Sequence, residues 1–118
     1  MPRFKTRHAP AELLADEFIQ EKASALGRLG RALEASLAAL AEFDAGGCQV
    51  SSAAEYRQMR ASLVAEASIA LWHFVVQREA CGLSDLRYVL RDYRVPHEVS
   101  ARMGAIAGES LPVLRRKP

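Results

Sequence analysis

At 118 residues, half of them hydrophobic and a quarter charged, the chain has the length of one domain and the composition of a globular protein, not a disordered one. Its formal net charge of +2 is too small to imply a polyanion partner, and two cysteines make no disulfide framework. No uninterrupted apolar run is long enough for a bilayer span or a secretory leader, so no membrane partner and a reducing cytoplasm are expected.

The charge is unevenly placed. Arg3, Lys5 and Arg7 form a basic arm over residues 1–10, and Arg115, Arg116 and Lys117 a basic tail over residues 112–118. Without those six the body is mildly acidic. Such arms suit phosphate contact or plain solubility. Residues 11–111 then form a single helical domain, rich in alanine and leucine, which favour helix over strand.

The spacing predicts a first helix over residues 11–44. Leu26, Leu29, Leu33, Leu37 and Leu40 recur at three- and four-residue steps with Phe43 completing the row, and Leu14 and Phe18 begin a similar row upstream. A helix of that length, about 50 Å, is expected to lie along a partner helix for most of its run. Gly27 and Gly30 inside it each cost roughly 1 kcal/mol relative to alanine. With Ala23 and Ser24 they make a strip without bulk, which predicts close approach of another helix there.

Gly46 and Gly47 end that helix, and Ser52 with Glu55 forms a capping box for a second, over residues 53–81. Tyr56, Met59, Leu63, Ala67, Ala70 and Phe74 make its core face. Ile69, Leu71, Trp72, Val75 and Val76 extend the apolar surface, so burial nearly all round is expected. Gly82 stands where a left-handed cap belongs, with Leu83 as its hydrophobic contact and Ser84 as the next N-cap. A short third helix follows over residues 85–93. Pro96 closes it and, with Glu98, opens a fourth through Met103.

No catalytic constellation stands out. His73 shares a face with Gln77, but Cys81 lies about 12 Å further along the same helix, out of hydrogen-bond reach. Cys81 also sits at a helix C-terminus, where the dipole works against thiolate formation. His8 and His97 lie in unrelated segments, so no zinc site is assembled, and Cys48 has no basic neighbour in sequence. No phosphate loop, HExxH or nucleophile elbow is present. The expectation is a non-enzyme without metal or cofactor, with a small-molecule pocket around His73 and Trp72 as a lesser alternative.

In GLSDLRYVLRDYR the order of Gly82, Leu83, Ser84, Asp85, Tyr88, Arg91 and Tyr93 resembles the second helix-turn-helix of AraC-type transcription factors. The resemblance implies a DNA-reading corner over residues 78–94, with Arg87, Tyr88, Arg91 and Arg94 as contacts and Arg87, Arg91 and Arg94 in one basic stripe. Two features depart from that pattern. Arg78 stands where a small residue belongs at the helix crossing, and the preceding helix is nearly 30 residues long. Across most of the chain, QEKASALGRLGRALEASLAAL, WHFVVQREACGL and RDYRVPHEV resemble a family of small bacterial helical proteins of no assigned function. That resemblance implies an all-helical fold in a bacterial cytoplasm and no catalytic residue.

The expected fold is all-α: a long antiparallel hairpin with two short helices folded back near the end of the second. The leucine row of Leu26 to Leu40 and the surface of Tyr56, Met59, Leu63, Trp72 and Phe74 suggest a homodimeric four-helix bundle. The expected function is a non-enzymatic interaction or scaffold protein, with or without a further protein partner. A DNA-binding regulator is the alternative.

Overall fold

The computed structural model describes residues 10–47 and 49–110, the side chains of residues 109 and 110 excepted. The two basic arms, save residue 10, and Cys48 therefore lie outside the described residues. Four helices follow one another: α1 (Pro10–Asp44), α2 (Ala53–Ala80), α3 (Leu86–Asp92) and α4 (His97–Ser110). No strand occurs among the described residues, and the fold is all-α.

The first two helices form an antiparallel hairpin whose register is read from three contacts. The Phe43 and Tyr56 rings lie 4.8 Å apart at the loop end. Phe74 sits against Gly30 in the middle. At the far end Lys22 Nζ donates to the Ala80 carbonyl, and Gln77 Nε2 to the Lys22 carbonyl. The hairpin turns where the glycines predict. Gly46 takes φ +91, its N–H reaching the Phe43 carbonyl and that of Gly47 the Glu42 carbonyl, each at 3.0 Å.

Ser52 caps α2 by accepting from the Glu55 N–H at 3.1 Å. The reciprocal arm of the expected box closes one residue early. The Glu55 carboxylate accepts from the N–H and the hydroxyl of Ser51, and these bonds hold its pKa below the ordinary value.

Leu33, Leu40, Ala67, Leu71, Phe74, Val89 and Val99 are the centre of the core. On α1 the expected row holds: Leu33, Leu40 and Phe43 are buried, with Leu26, Leu29 and Leu37 half-buried against them. On α2 the burial is displaced. The expected row faces α1, but α4 packs on the neighbouring flank, so the buried stripe is Val64, Ala67, Ser68, Leu71 and Phe74. Tyr56 and Met59, in the first two turns of α2, are exposed. Nor is α2 buried all round: Ile69 and Val76 remain 44% and 41% exposed on its outer face. The helix is also long and apolar enough by composition to cross a membrane. Packing between α1 and α4 buries 33% of that apolar stretch.

Ser68 joins α4 to α2. Fully buried, its hydroxyl lies 2.7 Å from the Val64 carbonyl and 3.1 Å from that of Val99, and donates to this pair. A second tie lies at the surface. Arg60 donates through Nε and one Nη to the Asp44 carboxylate and through both Nη atoms to Glu98, at 2.7–2.9 Å, joining α1, α2 and α4. α4 also runs seven residues beyond the expected end at Met103.

The strip without bulk on α1 resolves into two different glycines. A Cβ on Gly30 would stand 3.1 Å from the Tyr93 hydroxyl and 3.2 Å from Phe74, whereas at Gly27 it would meet only the mobile end of Arg31 at 3.4 Å. Gly27→Ala should therefore raise stability by about 0.5–1 kcal/mol. Gly30→Leu should lower it by about 2–3 kcal/mol, because Phe74 and Tyr93 must be displaced. Denaturant titration of the two variants measures both.

The Arg60 tie carries a pH signature. Hydrogen bonds from Arg60 hold the Asp44 and Glu98 carboxyls below their ordinary values. Depressed carboxyl pKa values stabilise the fold above the ordinary carboxylate range, and that contribution is lost as pH falls through the folded-state values. Arg60→Met should lower the melting temperature at pH 7 and flatten its decline between about pH 5 and pH 3.

Candidate functional site

The corner after α2 is the first candidate. Cys81 caps α2, and Gly82 follows at φ +84 with its N–H on the Glu79 carbonyl. The Leu83 N–H reaches the Arg78 carbonyl at 2.7 Å. The N-cap of α3 is Asp85, whose carboxylate accepts from the Tyr88 N–H at 3.2 Å, and not Ser84. One residue of linker is gained because the Schellman bond to Arg78 carries the chain past Ser84 before the helix begins.

Arg87, Tyr88 and Arg91 are exposed on α3, which has seven residues. Arg94 is not on that helix. Tyr93 caps it, the Arg94 N–H turns back to the Arg91 carbonyl, and Arg94 itself takes φ 53 in the left-handed region. The expected three-arginine stripe is thus reduced to Arg87 and Arg91. Arg78 explains the other departure. Its guanidinium lies 5.7 Å from the ring centroids of both Phe74 and Tyr88, filling the space between α2 and α3. Its Nε is buried there without a hydrogen-bond partner.

Beside this stack is an open groove of about 360 Å³ where Gly30, Arg31, Glu34, Arg78 and Tyr93 meet. Tyr93 lies edge-on to Phe74 at 5.2 Å. Burial raises its pKa, helped by the Glu34 and Asp92 carboxylates and opposed by Arg78. The hydroxyl therefore stays protonated at neutral pH, a hydrogen-bonding group and not a nucleophile. A more apolar groove of about 490 Å³ lies at the loop end between Ala39, Phe43, Met59 and Leu63.

His73 is exposed on the outer face of α2, while Trp72 packs against the core. Gln77, which shares the His73 face, is turned to the Lys22 carbonyl. Cys81 is half-buried at the cap. Among the described residues, no three His, Cys, Asp or Glu side chains are grouped to hold a metal.

The second candidate is an uncovered surface. Lys22 is level with the last residue of α2, so residues 10–21 of α1 project past it by roughly 18 Å, and all of them are exposed. Leu14, Phe18 and Ile19 are 63–65% exposed. With Ala11 and Ala15 they lie on the same side of α1 as Leu26, Leu29, Leu33 and Leu40. The helix keeps its core face where no other described helix covers it.

The sequence alone did not indicate the Arg60 tie, whose members are 16 and 38 residues apart, or that Arg78 fills the corner. Leu14 and Phe18 were visible as a row, but their exposure depends on where α2 stops relative to α1.

These features describe a small all-α protein with an amphipathic helix longer than its partner. Residues 5–110 match the family of unknown function DUF6665, and the chain belongs to that family. No curated protein and no solved structure matches it.

Arg94 offers a test of the corner. A glycine relieves the cost that a side chain meets at positive φ. Arg94→Gly should raise stability by about 0.5–1 kcal/mol, read by thermal or chemical denaturation.

Proposed function

We propose that the protein is a non-enzymatic helical interaction protein of the cytoplasm that works as a homodimer, holding its partners through helix faces. The observation that supports this reading is the amphipathic stripe of Leu14, Phe18 and Ile19, in line with the core face and covered by no other helix among the described residues. Burying such side chains is worth about 1.5–3 kcal/mol each, a driving force that association realises. The exposed Ile69 and Val76 on α2 add a smaller apolar face.

A DNA-reading corner is the competing proposal, and Arg87 and Arg91, exposed one turn apart on α3, favour it. Light scattering coupled to size exclusion at micromolar concentration should give twice the 13.0 kDa chain mass; a 13.0 kDa species would overturn the dimer. Anisotropy with mixed-sequence duplex DNA should show no micromolar binding at about 50 mM salt. Binding that weakens more than about tenfold by about 200 mM salt would instead move the assignment to the regulator.

A further inference from the structure

We propose that two copies join through residues 10–21 of α1, each projecting segment lying antiparallel on the other in the place that a longer α2 would occupy. The inference rests on the homodimer reading and specifies its interface. Its occupant, a second copy, is argued from continuity. Along residues 22–44 the apolar side of α1 is covered by an antiparallel helix, α2. Beyond Lys22 the same side continues through Phe18, Ile19, Ala15, Leu14 and Ala11, and the cover stops. What fits there is another amphipathic helix, running antiparallel, about three turns long. The projecting segment of a second copy has that length, that stripe and, by two-fold symmetry, that direction.

Length agrees with this pairing. Two segments of roughly 18 Å overlap fully, each tip ending level with Lys22 of the other copy. Residues 10–21 carry four carboxylates and no cation; those of the two copies repel along the flanks of the seam, so the apolar contact must outweigh them and the dimer should tighten as salt screens them. The two stripes together bury on the order of 1,000 Å², the lower bound for a specific interface. The outer face of α2 is a poorer seat, since exposed His73 and Glu66 interrupt Ile69 and Val76.

Phe18→Glu and Ile69→Glu separate the two faces, and because both sites are exposed neither variant should unfold; circular dichroism checks this. The expected result is a dimer for the wild type and Ile69→Glu, and at least a 100-fold weaker dimer for Phe18→Glu. A Phe18→Glu dimer as tight as wild type, with Ile69→Glu monomeric, would overturn this interface and leave the homodimer standing. A monomeric wild type would overturn both. Direction is tested with Cys48 and Cys81 replaced by serine and oxidised glutathione added. Ala15→Cys, next to the two-fold axis, should form a covalent dimer. Ala11→Cys, whose copies stand roughly 15 Å apart in the antiparallel pair, should not. Cross-linking at both positions means a parallel pair and overturns the proposal.

Discussion

The seat of Phe74 on Gly30 sets the rest of the molecule. A ring can lie against a helix backbone at this distance only where no Cβ intervenes, and the ring atom stands 3.2 Å from where one would be. Tyr93 meets the same ring edge-on and places its hydroxyl over the same glycine. Arg78 covers the ring from α2 itself. The first helix, the second and the segment after the third therefore converge at one point. With Phe74 opposite Gly30, the antiparallel register brings Tyr56 to Phe43 and Ala80 to Lys22. The hairpin loop and the projecting end of α1 both follow from that alignment.

The two long helices carry different demands. α1 has α2 along one side, and a single stripe is enough. α2 has α1 on one flank and α4 on the next, so its buried positions spread from Phe74 and Ala67 to Val64, Ser68 and Leu71. Ser68 shows what the second flank needs. A hydroxyl there is tolerated in full burial because the Val64 and Val99 carbonyls accept from it. At the surface, Arg60 reaches one carboxylate on each neighbouring helix, the bidentate pair with Asp44 holding α1 and that with Glu98 holding α4.

What was legible in the residues was local. The leucine row on α1, the glycine turns at Gly46 and Gly82, and the Ser52 cap each rest on rules that act within a few residues, and the structure follows them. The small-residue strip was legible as a place of close approach, though only Gly30 serves it. Errors arose where a distant element decides. The α2 row of Tyr56, Met59 and Leu63 was a true helical face, but which face is buried most depends on α4. Ser84 and Asp85 are both good caps, and the length of the preceding turn chooses between them. The arginine stripe assumed that α3 reaches Arg94, whereas the left-handed backbone there ends it.

The corner and the uncovered stripe have one cause. Gly82 stops α2 at Ala80 and turns the chain back, so that Val89 and Tyr93 close over the region around Phe74. Had α2 continued three more turns, Leu14, Phe18 and Ile19 would be covered within one chain. The short helices would then lose the position from which Tyr93 reaches Gly30. Closing the core in this way leaves α1 longer than its cover. A solvated extension would need no apolar residue at 14, 18 or 19. Instead these residues lie on the same side of the helix as the core row, and the carboxylates fall on the remaining faces. Twelve residues of helix are marginal alone. Here they are nucleated by the packed part of α1, so an amphipathic face can be presented without a partner first folding it.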